Sequence, residues 1–316
     1  MLKKILLALL FSLTCLVVPD QASSVPHQQT STQQAPAPKP SAYPSAPEPG
    51  IVDVGSAKIH YEEAGVGDAL VMIHGGLLTK EMWDGHFEEY AKKYRVVRYD
   101  ARNHGLSRSE AATFAHFDDL NKLMEHLKIE KAVIMGLSMG GYIAVDFALK
   151  FPGKVSGLIL VAPGLSGFSF HGPEFDAYYE KYQAAVKSGD PDRHIEAFME
   201  GWTYGPYRKA EDLPSALLDK VRRMAKQSME TWNGETKELR AAPLAIGRLA
   251  EIKAPALAIV GDLDMPNILE IVGLLEKDLP NFEKVTIPGV AHMVNLEKPQ
   301  EFDKAVLGFL KKTYGH

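Results

Sequence analysis

An α/β fold, a mostly parallel sheet with helices on both faces, is what this sequence predicts, and three observations carry the prediction. Strand-like and helix-like runs alternate from residue 51 to the C-terminus. Several strand runs are almost continuously apolar, as strands covered on both faces are. One of them leads through a tight glycine-rich turn directly into a helix. With 316 residues the chain has room for one large α/β domain, and a hydrophobic fraction of 46% is ordinary for a protein with a substantial core.

The N-terminus reads as an export signal over residues 1–24. Lys3 and Lys4 are its positive start, residues 5–18 its short apolar stretch, and Ala22-Ser23-Ser24 its small residues for cleavage. The mature chain is therefore expected to be periplasmic or secreted, with no stable membrane span once the signal is removed. Cys15 is the only cysteine. Lipoprotein anchoring through it is the secondary reading, because Thr14 is larger than the residue that normally precedes a lipidated cysteine. Residues 25–50 are rich in Pro, Gln, Ser and Ala and read as a disordered linker.

Residues 51–54 and 58–62 read as two short strands around a Gly55-Ser56 turn. Residues 69–73 (ALVMI) form a buried strand that ends in His74-Gly75-Gly76-Leu77. A helix over 81–94 and a strand over 95–99 follow, then a loop, Asp100-Ala-Arg-Asn-His-Gly-Leu-Ser107. Residues 117–127 have helical spacing. The strand 131–135 (KAVIM) enters Gly136-Leu137-Ser138-Met139-Gly140-Gly141, and a helix leaves over 142–150. Residues 155–161 (VSGLILV) are a further buried strand, stopped by Pro163-Gly164. Strands over 255–260 and 282–287 end at Gly261 and at Pro288-Gly289, and a helix over 301–314 closes the chain. Between them, residues 164–244 lack good strand runs and carry helical stretches at 175–186, 194–202 and 213–232. The organisation is a core of 51–163 and 245–316, with 164–244 as a helical cap inserted after the sixth strand. Such a cap lies over the carboxyl ends of the strands, where open α/β sheets bind ligands.

The turn around Ser138 has the G-x-S-x-G pattern of a nucleophile elbow, with the strand before it and the helix after it that the motif requires. Small residues two before and two after the serine let the turn close and leave the hydroxyl exposed above the sheet. The amide of Met139, at the start of the helix, would point at a negative oxygen beside the serine.

Taken together, His74-Gly75-Gly76, the Asp100–Ser107 loop, the Ser138 elbow, Gly261-Asp-Leu-Asp264 and Gly289-Val-Ala-His292 resemble the α/β-hydrolase superfamily in content and order. The resemblance runs from about residue 51 to 314. It points to the branch of small carboxylesterases, enol-lactone hydrolases, C–C bond hydrolases and cofactor-free perhydrolases. In the Asp100–Ser107 loop that branch usually has glycine where this chain has Asn103, and asparagine also tolerates left-handed backbone.

The resemblance implies a Ser-His-Asp triad of Ser138, Asp264 and His292, in the chain order of this fold. A serine hydroxyl needs a base, and the base needs an acid to hold its tautomer. Asp262 lies two residues from Asp264 and competes for the acid's place. The oxyanion hole is expected at the amides of Met139 and Gly76, with Leu77 as the neighbouring alternative. His74 is expected to brace that loop by hydrogen bonding, and Arg102 and His104 to serve their own loop structurally. Trp202 on the cap is the candidate substrate-binding residue.

The expected activity is hydrolysis of a small-molecule carboxylic ester or lactone through an acyl-enzyme. A cofactor-free perhydrolase or a C–C bond hydrolase is the alternative, and a non-catalytic ligand-binding protein of the same fold is the reading outside enzymes. Dehalogenases and epoxide hydrolases of the fold need a carboxylate nucleophile where Ser138 stands. A net charge of −5 gives no basic footprint for nucleic acid. No metal or cofactor is expected, since His60, His86, His116, His126, His171 and His194 show no ligand-like clustering.

Overall fold

The computed structural model describes residues 47–316; the expected signal segment, Cys15 and most of the expected linker lie outside the described residues. Eight strands form the main sheet: β1 (Glu48–Asp53), β2 (Ala57–Ala64), β3 (Ala69–Ile73), β4 (Arg95–Tyr99), β5 (Ala132–Leu137), β6 (Val155–Val161), β7 (Ala256–Gly261) and β8 (Phe282–Ile287). They lie in the order β1-β2-β4-β3-β5-β6-β7-β8, and the two-residue strand Arg108–Ser109 pairs with β2. From β4 to β8 every pairing is parallel, whereas β1–β2 and β2–β4 are antiparallel.

Helices α1 (His86–Ala91), α2 (His116–His126), α3 (Met139–Lys150), α7 (Pro266–Asp278), α8 (Val294–Glu297) and α9 (Pro299–Tyr314) belong to the core chain segments. Helices α4 (Pro173–Ser188), α5 (Pro191–Phe198) and α6 (Ser215–Thr231) form the insertion between β6 and β7. Every residue of β3, β5 and β7 is buried. Their alternate side chains enter two separate apolar clusters. Val71, Ile73 and Ile134 pack with residues of α2, α3 and α7, while Leu70, Met72, Val133 and Met135 pack with residues of α1 and α9. That double burial is the reason these runs carry no polar face. The edge strand β8 is partly exposed and carries Glu283 and Lys284, which discourage further pairing.

Three expectations need correction. The linker was expected to run to residue 50, but Glu48, Pro49 and Gly50 already pair with Glu63, Glu62 and Tyr61. Proline and glycine made this stretch read as linker, yet β1 is the outermost strand, where a missing N–H is tolerated. The single helix expected over 81–94 is a short 3₁₀ turn, Lys80–Trp83, followed by α1. Gly85, with φ of 82°, separates them. The helical stretch expected over 194–202 is α5 followed by a π-helical turn, Met199–Tyr204.

The parallel register aligns one end of the sheet. Ile73 pairs with Tyr99 and with Gly136, Leu137 with Val161, and Gly261 with Ile287. The segments that begin at His74, Asp100, Ser138, Asp262 and Pro288 therefore all leave the same edge.

Candidate active site

Ser138 joins β5 to α3 with φ of 53° and ψ of −107°. A non-glycine residue with positive φ is strained, and hydrogen bonds from three directions hold it. Its N–H donates to Val161 O (3.0 Å), and its carbonyl accepts from the N–H groups of Gly141 (2.9 Å) and Gly164 (2.9 Å). The glycines on either side are sterically required. A Cβ on Gly136 would lie 2.1 Å from Gly140 O, and one on Gly140 would lie 2.4 Å from Ile73 O. Both obstacles are backbone and have little freedom to move. The outcome is a half-buried serine at the carboxyl edge of the sheet.

The loop after β3 approaches the elbow. A Cβ placed on Gly76 would sit 3.9 Å from Met139 Cβ. As the first residue of α3, Met139 has an amide outside the helical ladder. The Gly76 N–H has no backbone partner among the described residues. Leu77 occupies the third position of the Gly75–Leu78 turn with φ of 56°, a conformation that leucine adopts at a cost of about 1–2 kcal/mol. His74 fixes this loop from below. Its Nδ1–H donates to Gly75 O (2.7 Å), and its Nε2 accepts the Ala101 N–H (2.9 Å). Burial lowers its pKa, so the ring is a neutral brace between the loops after β3 and β4.

The Asp100–Ser107 loop is likewise a framework. Asp100 accepts the N–H groups of Lys80 (2.8 Å) and Leu106 (3.0 Å), and Arg102 grips Asp119 with two bonds of 2.8 Å. Asn103 takes φ of 65°, in the region asparagine tolerates, and donates to Thr236 Oγ1 (2.8 Å). His104 packs 5.0 Å from His74, and burial pushes its pKa down to about 3.

His292 is fully buried after β8. Its Nδ1 lies 2.9 Å from Oδ2 and 3.1 Å from Oδ1 of Asp264. An ionised carboxylate only accepts, so the proton sits on Nδ1 and Nε2 is left as an acceptor. Nε2 is buried and has no hydrogen-bond partner among the described residues, so it is not bonded to the Ser138 hydroxyl here. Asp264 Oδ1 also accepts the Met265 N–H at 2.7 Å. Asp262 is exposed and instead accepts the Gly289 N–H at 2.7 Å. The two carboxylates differ in direction: Asp264 turns inward to the imidazole and Asp262 outward to the following loop. Gly261 is required because a Cβ there would meet Val290 O at 2.2 Å and Ala291 O at 2.5 Å.

Trp202, on the π-helical turn, brings the cap to this point. Its ring centroid is 4.8 Å from that of His292, and its Nε1–H donates to the Tyr178 hydroxyl at 2.8 Å. Tyr178 was not singled out from the sequence, since no local spacing links it to a tryptophan one helix away. Among the described residues no group of three or more His, Cys, Asp or Glu side chains is arranged to hold a metal, and no helix is long and apolar enough to cross a membrane.

Residues 68–299 match the family model of the alpha/beta hydrolase fold, and the chain belongs to that family. It is 30% identical over 268 residues to the 2-hydroxy-6-oxononadienedioate/2-hydroxy-6-oxononatrienedioate hydrolase of Paraburkholderia phymatum, covering 80% of this chain and 91% of that one. It is 28% identical over 268 residues to the pimeloyl-[acyl-carrier protein] methyl ester esterase of Pectobacterium carotovorum, covering 80% and 98%. The enol-lactonase of Burkholderia xenovorans shares the fold with a TM-score of 0.69 at 22% identity, covering 83% of this chain and all of that one.

Proposed function

We propose that this α/β-hydrolase cleaves a small carboxylic ester or lactone through an acyl-enzyme on Ser138. The observation that carries the reading is the His292–Asp264 pair, whose buried Nε2 is left as an acceptor at the sheet edge that also carries the strained Ser138. In this reading Ser138 Oγ attacks the substrate carbonyl carbon as its proton passes to Nε2. The carbonyl oxygen becomes an oxyanion between the amides of Gly76 and Met139. The intermediate collapses, and the leaving alkoxide takes the proton back from Nε2; in a lactone it remains tethered to the acyl group. Water then repeats the sequence on the acyl-enzyme with Nε2 again as base, and Ser138 is restored. Asp264 keeps the imidazole in the required tautomer and offsets the charge of the imidazolium.

Hydrolysis of a carbon–carbon bond is the second reading, favoured by the relative whose name specifies a dienedioate. A dianionic substrate calls for cationic partners. The residues proposed around Ser138 (Gly76, Met139 and Trp202) are uncharged, which suits an uncharged ester or lactone. We also propose export to the periplasm or beyond, on the strength of residues 1–24.

The test has two parts. A serine-directed fluorophosphonate should label the protein, and Ser138→Ala should abolish labelling and lower turnover by about 10⁴ or more. A panel of p-nitrophenyl esters, lactones and vinylogous diketones, with a peracid assay alongside, then identifies the bond. Labelling that persists in Ser138→Ala would remove the nucleophile assignment. Turnover confined to the diketones would put the second reading first.

A further inference from the structure

The turn that carries Trp202 and the loop that carries His292 are joined through one part-buried ion pair. Arg208 donates from Nη1 to Glu297 Oε2 (2.5 Å) and from Nη2 to Glu297 Oε1 (3.0 Å), a two-bond fork. Its remaining donors go to three backbone carbonyls: Nε to Tyr204 O (2.9 Å), Nη2 to Thr203 O (3.2 Å) and Nη1 to Gly289 O (3.4 Å). All five N–H groups of the guanidinium are therefore used. Glu297 Oε1 also accepts the N–H of Ala291 at 3.2 Å, the residue before His292. Both side chains are largely withdrawn from water, at 11% and 6% exposure. On one side the guanidinium closes the carbonyl end of the π-helical turn. On the other, directly and through Glu297, it holds two residues of the loop that ends in His292. The turn lies close to this loop and to the turn before Asp264 as well: a Cβ on Gly205 would lie 2.8 Å from Ala291 Cβ and 2.9 Å from Leu263 O.

We propose that Arg208 and Glu297 are a positioning pair that fixes the His292 loop and the Trp202 turn as one unit. Cap placement and base placement then become one variable: loosening the pair displaces both the imidazole and the indole that covers it. The proposal rests on the reading of His292 as the base. Lysine cannot substitute, because a point charge with three donors cannot make the planar fork and reach the three carbonyls together.

A pair that served only to stabilise the fold would change melting temperature and leave turnover per folded molecule alone. The full chain is therefore compared with Arg208→Lys, Glu297→Gln and the double variant Arg208→Met/Glu297→Leu. Arg222→Lys is the control, since its partner Glu196 is 3.2 Å away on the same cap and both side chains are 45% exposed. Steady-state kinetics on a soluble p-nitrophenyl ester are read well below melting. Hydrogen exchange is followed over residues 199–208 and 289–298.

Arg208→Lys and Glu297→Gln should each lower kcat about tenfold or more, because small misplacements of a reacting group are costly. KM should move less than about threefold, and both segments should exchange faster together. The double apolar variant removes the burden of an unpaired buried charge, so it should regain melting temperature without regaining kcat. Arg222→Lys should match the wild type. Unchanged kcat in the folded single variants overturns the proposal, as does kcat that returns with melting temperature in the double variant. If Arg208→Lys does not fold, Glu297→Gln alone decides by the same criteria. If the wild-type protein turns over no ester, lactone or vinylogous diketone and shows no peracid activity, the reading of His292 fails separately. The exchange measurement then decides whether the pair couples the segments, and loosening of only one of them refutes it.

Discussion

Substituting Asp264 by asparagine should lower turnover by about 10⁴, and the geometry says why so small a change is so severe. Asp264 Oδ1 accepts the Met265 N–H at 2.7 Å, while Oδ2 is the nearer oxygen to His292 Nδ1, at 2.9 Å. An asparagine must keep its carbonyl oxygen toward the Met265 N–H, because a backbone donor cannot accept. Its NH₂ group then faces Nδ1. Nδ1 must become the acceptor, the imidazole proton moves to Nε2, and Nε2 can no longer take the proton of Ser138. The loss is one of tautomer as well as of charge, for which a factor of about 10⁴ is typical, or about 5.4 kcal/mol in the barrier. Asp262 makes the contrast. It is exposed, and its bond to the Gly289 N–H (2.7 Å) can be kept by an asparagine oxygen. Asp262→Asn should therefore stay within about threefold of wild type. Both variants are assayed on one activated ester, with circular dichroism to confirm folding. The reasoning is refuted if Asp264→Asn keeps more than about a tenth of wild-type turnover, or if Asp262→Asn is the inactive variant.

Two further outcomes follow from the packing. His74, His104 and His116 are buried, with pKa values lowered chiefly by that burial and, for His104, to about 3. The unfolded chain binds protons on these rings below its ordinary value of 6.5 while the folded chain does not, so stability is full above that value and declines as the pH falls below it. For His104 the loss at pH 5 is about 2 kcal/mol; urea unfolding at pH 7.5 and pH 5 measures it, and a decline unchanged by His104→Gln would exclude this ring as a source. Gly140→Ala would force a Cβ to 2.4 Å from Ile73 O. It should cost about 1–3 kcal/mol or more by overpacking, and a thermal melt indistinguishable from wild type would refute the close approach of α3 to β3.

What the sequence made legible was local or continuous. The buried strands announce themselves because β3, β5 and β7 are covered on both faces and have no polar side to confuse the pattern. The elbow is legible because its steric demands fall on residues within a few positions of Ser138. Direction was not legible. Asp262 and Asp264 are two residues apart in one turn, and only the backbone path shows that one faces inward and the other outward. Glu48 to Gly50 was lost to the linker because proline and glycine are read as breakers, although an edge strand tolerates them. Tyr178 under Trp202, and Glu297 under Arg208, are pairings between elements that no periodicity connects.

That division between the legible and the hidden also divides the site by cause. The loops proposed to do chemistry are placed by backbone against backbone: Gly136 against Gly140, Gly140 against Ile73, Gly261 against Val290. Such contacts allow almost no adjustment, so a substitution there alters whether the elbow and the His292 loop form at all. The cap meets the same loops mainly through side chains, Trp202 on His292 and Arg208 on Glu297. The first of these can be exchanged without rebuilding the sheet edge, whereas the second is the pair proposed to hold the His292 loop. Changes confined to the cap and away from that pair are therefore the route by which a protein of this architecture would come to accept a different substrate while keeping the same sheet edge. Changes at the glycines offer no comparable route, since each would have to be matched by movement of backbone in a neighbouring strand, helix or loop.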